Sequence, residues 1–168
     1  LKSAYNEAEK LGFKPVIISD SLEGEAKLEG KKMAELAIKI KKEKKFENIP
    51  LKQPILLLSG GETTVTVKGN GKGGRNTEFM LSMAIHLNEA SGITALSIDS
   101  DGIDGVEDNA GAFISDVTLR KAKSKNLMPQ KFLDNNDSYS FFQKIDDLIF
   151  TNPTLTNVND FRAVLIEP

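Results

Sequence analysis

Ile55-Leu56-Leu57-Leu58-Ser59-Gly60-Gly61-Glu62-Thr63-Thr64-Val65-Thr66-Val67 is the stretch on which the fold turns. Its apolar opening reads as a strand covered on both faces. Its second half alternates threonine with valine, as a half-exposed strand does. Ser59-Gly60-Gly61-Glu62 between them reads as a tight link, which sets the second strand antiparallel to the first. The paired glycines also suit close approach of a ligand to a strand end, so the turn and ligand readings stand side by side.

Downstream lies Gly69-Asn70-Gly71-Lys72-Gly73-Gly74-Arg75-Asn76-Thr77-Glu78, followed by helix-like sequence. Glycines let backbone N–H groups approach a ligand, and a helix N-terminus adds unpaired donors and partial positive charge. With Arg75 this makes a candidate site for phosphate or carboxylate. Gly69, Gly71 and Gly74 satisfy G-x-G-x-x-G. However, the preceding threonine–valine segment lacks the doubly buried character of a dinucleotide-binding first strand. The loop also approaches a P-loop, but Arg75-Asn76 stands where Lys-Ser/Thr is required.

The surrounding pattern alternates helices and strands. Ala4, Ala8 and Leu11 recur at helical spacing and Gly12 suits the helix end. Val16-Ile17-Ile18 reads as a buried strand. Residues 25–45 read as a helix with Met33, Leu36, Ala37 and Ile40 inward and a solvated lysine face. Helices are expected over 75–89, 117–125 and 138–145, and strands over 93–98, 148–150 and 163–166. The class is therefore α/β: a mixed, mostly parallel sheet with flanking helices and one antiparallel strand or hairpin.

The chain has 168 residues and a net charge of −2, enough for one core and with no general drive towards nucleic acid or anionic membrane. It has no cysteine, which excludes disulfides and cysteine-ligated zinc. No apolar run reaches the roughly 18 residues of a membrane helix, and no secretory signal opens the chain. Cytoplasm is the expected compartment. Leu1 stands where Met would open a gene product, and helix-like sequence follows at once, so a preceding portion is expected.

Asp99-Ser100-Asp101-Gly102-Ile103-Asp104-Gly105 is the second cluster, placed after a strand where α/β sheets bind ligands. Carboxylates this dense need a cation or hydrogen-bond donors to offset them. Asp101, Asp104 and Asp108 are of the type that ligates Mg²⁺, but aspartates capping turns fit the pattern too. Glu62 reads as a surface carboxylate, a metal ligand or a partner for Arg75. Thr154–Asp160 and Asn135–Ser138 read as turns and caps. His86 stands alone on its helix.

Taken together, Leu58–Val65, Gly71–Phe79, Asp99–Gly105, Ala110-Gly111-Ala112, Asn136–Tyr139 and Thr156–Asp160 resemble the MOFRL module, the C-terminal part of bacterial and archaeal glycerate 2-kinases. The resemblance runs from about Ile55 to the end, and Leu22–Ala26 resembles the segment upstream of it. Thr77 departs mildly from the family, which usually has Gln there. The resemblance implies transfer of the ATP γ-phosphoryl group to D-glycerate, giving 2-phosphoglycerate, with ATP and Mg²⁺. It also implies two α/β domains: residues 1–50 as a lead-in related to either domain, 51–168 as the MOFRL-like domain, and a Rossmann-like N-terminal domain outside this chain. That domain would bring a lysine opposite Arg75, the implied catalytic residue. Gly60, Gly61, Glu62, Gly73, Gly74, Asn76, Asp101 and Asn157 become the expected substrate or phosphate contacts, with Asp101 and Asp104 as metal ligands. Expected partners are a small hydroxy acid, a nucleotide and the chain's own N-terminal domain, without nucleic acid or membrane. Some family members carry a hydroxypyruvate reductase name, and the G-x-G-x-x-G match alone makes an NAD(P)-dependent reductase of hydroxypyruvate the alternative activity. A non-catalytic structural module is the third reading.

Overall fold

The computed structural model describes residues 1–168. Helix α1 (Lys2–Lys10) leads through Gly12, at φ +84°, into strand β1 (Lys14–Ser19). Helix α2 (Ala26–Glu43) follows, then a short hairpin of β2 (Lys45–Phe46) and β3 (Ile49–Pro50). Strand β4 (Ile55–Gly61), helix α3 (Arg75–Leu87) and strand β5 (Ile93–Asp99) form the centre. Strand β6 (Gly111–Ile114), helices α4 (Thr118–Ser124), α5 (Pro129–Asp134) and α6 (Ser138–Ile145), and strands β7 (Leu148–Ile149) and β8 (Asp160–Ile166) complete the chain.

The six-stranded sheet has the order β1-β4-β8-β5-β6-β7. Ile55, Leu57, Ile93, Ala95, Val164 and Ile166 alternate along their strands and share one core with α2 and α3. Along α2, buried Ala26, Gly30, Met33, Ala34, Ala37 and Ile40 form the inward stripe, and the lysines lie outside it. Gly30 marks the crossing with α3: a Cβ there would sit 2.2 Å from the Phe79 carbonyl oxygen. Each fully buried Ile or Leu of this core contributes about 1.5–3 kcal/mol. Residues 1–50 supply β1 and α2 to this sheet and core.

The α/β class, the mixed sheet and the flanking helices agree with the sequence reading, but the expected parallel majority does not. Only β1 and β4 pair in parallel. The C-terminal strand β8 inserts between β4 and β5, antiparallel to both. The β4–α3–β5 crossover therefore still runs parallel in direction, with its two strands separated. Such an insertion joins segments far apart in sequence, which helix–strand alternation does not reveal.

A second correction concerns residues 63–67, which form no strand. They run extended, with a single bridge between Thr64 and Glu25. Thr64 N–H donates to Gly24 O, and Thr64 O accepts from Ala26 N–H. Ser59-Gly60-Gly61 is likewise the end of β4 and not a turn.

Candidate functional site

Strand register assembles the site. Asp160 at the start of β8 lies between Gly61 at the end of β4 and Asp99 at the end of β5. Two adjacent buried carboxylates are unfavourable unless a cation meets them. Arg75, the first residue of α3, does so. Its Nε donates to Asp160 Oδ1 at 2.9 Å and Oδ2 at 3.1 Å, and its Nη2 donates to Asp99 Oδ2 at 2.6 Å. Nη1 lies 2.8 Å from Glu62 Oε1. The side chains of Asp160 and Asp99 are 0% and 5% exposed, while Glu62 is 54% exposed. Burial works against the Arg75 charge, but the hydrogen bond and charge of Asp160, then Asp99 and Glu62, outweigh it and raise its pKa. Burial pushes the Asp99 carboxyl up to about 6, against the pull of the Asp101 N–H and of Arg75.

Arg162 stands behind this group, with its Nη2 2.5 Å from Asp160 Oδ2 and 3.2 Å from Thr63 Oγ1. Its guanidinium carbon lies 5.0 Å from the Phe79 ring centroid, a cation–π contact inside the core. Burial lowers its pKa, and Asp160 opposes that shift. Asp160 thus accepts from Arg75, Arg162 and Asn76 Nδ2, the last at 2.9 Å.

The first turn of α3 departs from the expected phosphate cradle. The N–H groups of Asn76 and Thr77 donate to Asp104 Oδ1 and Oδ2 at 2.9 and 2.8 Å. Gly74 N–H donates to Thr77 Oγ1 at 3.0 Å. The anion at this helix N-terminus is the chain's own Asp104, fully buried. Burial pushes the Asp104 carboxyl up, and the Asn76 and Thr77 donors pull it back. Gly74 is required for this contact, since a Cβ there would lie 2.3 Å from Asp104 Oδ1. The expectation that Asp104 ligates a metal is therefore corrected: its oxygens are committed to α3. No group of three or more His, Cys, Asp or Glu is arranged to hold a metal ion. Asn76 is corrected in the same way. It is fully buried, bound to Asp160 and Asp104 and accepting from Ser97 Oγ, out of a ligand's reach.

The glycine-rich loop is held by the segment before α6. Asn136 Oδ1 accepts from Lys68 and Gly69 N–H, Asn135 from Asn70 and Gly71 N–H, and Asp137 Oδ1 from Lys72 N–H. Asn136 Nδ2 in turn donates to buried Glu78 at 2.8 Å, and burial pushes the Glu78 carboxyl up. The turn and cap reading of residues 135–138 thus holds in a particular form: they cap another loop. The N–H groups of Gly73 and Arg75 have no acceptor within the chain.

Glu62, Gly73, Gly74 and Arg75 converge on one cleft of about 400 Å³, closed at its sides by Thr63, Thr64, Val65, Val67 and Gly105. Gly60 and Gly61 line a different hollow of about 220 Å³, with Asp20, Ser100, Asn159 and Asp160. Gly61, at φ +102°, approaches its own chain: a Cβ there would meet Leu22 N at 2.1 Å. Asp101 and Asn157 line neither hollow. Asp101 Oδ1 accepts from Ile103 N–H and Asn157 Oδ1 from Asn159 N–H, both local turns. Asp160 and Arg162 were missed as site residues. Their signal is positional: Asp160, Arg162, Val164 and Ile166 alternate on the inward face of β8, where charges require partners.

The family model described as the MOFRL family matches residues 55–160. The chain is 45% identical over 159 residues to a D-glycerate 2-kinase of Thermotoga maritima, covering 95% of this chain and 37% of that protein. It is 46% identical over 168 residues to a relative from Agrobacterium vitis that bears a hydroxypyruvate reductase name, covering 99% of this chain and 37% of the relative. A solved structure of glycerate kinase from Thermotoga maritima superposes with a TM-score of 0.91 at 42% identity, covering 98% of this chain and 39% of that one. The chain thus spans under two fifths of the length of these relatives.

Proposed function

This chain belongs to the MOFRL family, and from that premise we propose that it is the C-terminal portion of a kinase that transfers the ATP γ-phosphoryl group to D-glycerate. The observation that carries the reading is Arg75 on the cleft wall beside an unengaged Gly73 N–H. Phosphoryl transfer depends on positioning and on neutralising charge over the phosphoryl oxygens. A guanidinium fixed along two edges by buried Asp160 and Asp99 has one edge, Nη1, for an anion. Arg75 is the catalytic residue in this reading, and Gly73 contributes its N–H.

The greater length of the relatives fits an upstream domain, and in this reading that domain closes the cleft and brings the lysine that the family resemblance implies opposite Arg75. The local charge favours such an addition, because Glu62, Asp99 and Asp160 outnumber Arg75 and Arg162. The donors at Asp101 and Asp104 do not fit a resident Mg²⁺, since Asp104 has no free oxygen. A divalent cation would accompany the nucleotide phosphates. No helix is long and apolar enough to cross a membrane, and a cytoplasmic enzyme of small metabolites is the compartment we propose.

The reductase alternative lacks comparable support. A dinucleotide pyrophosphate seats on helix N-terminal amides, and here Asp104 occupies them. The full-length protein should phosphorylate D-glycerate with ATP and should not oxidise NADH with hydroxypyruvate. Arg75→Ala should lower kcat/KM by about two orders of magnitude or more. An unaltered rate would refute the assignment.

A further inference from the structure

Three carboxylates meet Arg75, and they are not equivalent. Asp160 is held by Arg162 and Asn76 as well, and Asp99 Oδ1 accepts the Asp101 N–H. Glu62 meets only Arg75 Nη1, as an ion pair, and its side chain is half exposed. An ion pair as accessible as this contributes little to stability, so a competing anion displaces it readily. Glu62 is also the sole carboxylate lining the cleft, and Arg75 the sole cation.

The geometry points to Glu62 as the group that takes the proton of the acceptor hydroxyl, freed for this when a substrate anion replaces it on Arg75 Nη1. The inference rests on the kinase reading above and adds a catalytic residue to it. An incoming carboxylate or phosphoryl oxygen makes the same contact that Glu62 Oε1 makes at 2.8 Å. Asp160 and Asp99 keep the guanidinium in place during the exchange. Glu62 follows the rigid end of β4, so its displaced carboxylate stays within the same cleft. The hydroxyl oxygen then forms the new bond to the γ-phosphorus of the nucleoside triphosphate. Its proton passes to a Glu62 oxygen. The bond from that phosphorus to the bridging oxygen breaks, and its electron pair leaves on the nucleoside diphosphate.

Steady-state kinetics of the full-length protein with D-glycerate and ATP test this, using Glu62→Gln and Glu62→Asp beside wild type. Glu62→Gln should lower kcat by about 100-fold or more, with both KM values within about threefold of wild type. Glu62→Asp should recover part of kcat. Thermal melting should be unchanged, since the side chain is exposed and makes a single ion pair. A Glu62→Gln enzyme with kcat within about threefold of wild type, or one altered in KM alone, overturns the inference and leaves the kinase reading standing. Wild-type protein without glycerate phosphorylation overturns the kinase reading, and the inference with it.

Discussion

Asp160 grips Arg75 edge-on, with Nε 2.9 Å from Oδ1 and 3.1 Å from Oδ2, while its other side holds Arg162. This one carboxylate therefore joins a cleft residue to a guanidinium buried in the core. Removing it strands Arg162, which has no other carboxylate partner. Asp160→Ala should cost about 3–5 kcal/mol of stability, read from urea unfolding. The double variant Asp160→Leu/Arg162→Met should regain much of that stability, because apolar replacement of a buried pair is often neutral or better. It should not regain kcat/KM, because Arg75 has lost its Nε anchor. Recovery of both would show that Asp160 serves the fold alone.

The internal anion on α3 gives a separate test. Asp104→Ala opens a space lined by the N–H groups of Asn76 and Thr77. Two buried donors are left unsatisfied, at about 1–3 kcal/mol each. Added formate, the size of the missing carboxylate, should restore part of the loss by binding there. The denaturation midpoint of Asp104→Ala should rise with formate while that of wild type stays level. Equal response of both proteins would remove Asp104 from this role.

Much of this site was legible because its signals are local. The helix start at Arg75 follows from its neighbours in sequence, and a partnership with Arg75 is one of three readings open for Glu62, whereas Ser59-Gly60-Gly61, expected within a tight link, is instead the end of β4. What escaped is nonlocal. The amides of α3 looked available to a phosphate because nothing within 69–78 reveals that Asp104 folds back onto them. Asp160 looked like a turn residue because its role depends on β8 entering between β4 and β5. The threonine–valine segment has strand chemistry, but the sheet edge it would have joined is taken by other strands, so it stays extended against residues 24–26.

Close packing of α2 on α3 depends on Gly30. A methyl group there would press to within 2.2 Å of the Phe79 carbonyl oxygen, a backbone atom in the middle of a buried helix that cannot step aside. Gly30→Ala should therefore destabilise by about 1–3 kcal/mol despite the better helix propensity of alanine. Urea unfolding should show a lower midpoint with an unchanged slope. A more stable variant would mean that the helices separate at little cost.

Asp99 makes the site sensitive to pH. Its carboxyl titrates at about 6 in the folded protein against a reference value of 3.8. Between those values the folded chain holds a proton that the unfolded chain has released, so the Asp99 contribution to stability falls as pH rises through this window. Binding follows from the same proton. Protonated Asp99 no longer neutralises Arg75, whose Nη2 it meets at 2.6 Å, and the guanidinium attracts an anion more strongly. D-glycerate keeps its charge across this range, so its affinity for the full-length protein should rise about threefold or more from pH 7 to pH 5. Asp99→Asn should show the higher affinity at both pH values and little slope between them. Calorimetric titration at both pH values reads this directly. A wild-type affinity that stays level or falls with acidification would mean that protonation of Asp99 does not free Arg75 for an anion.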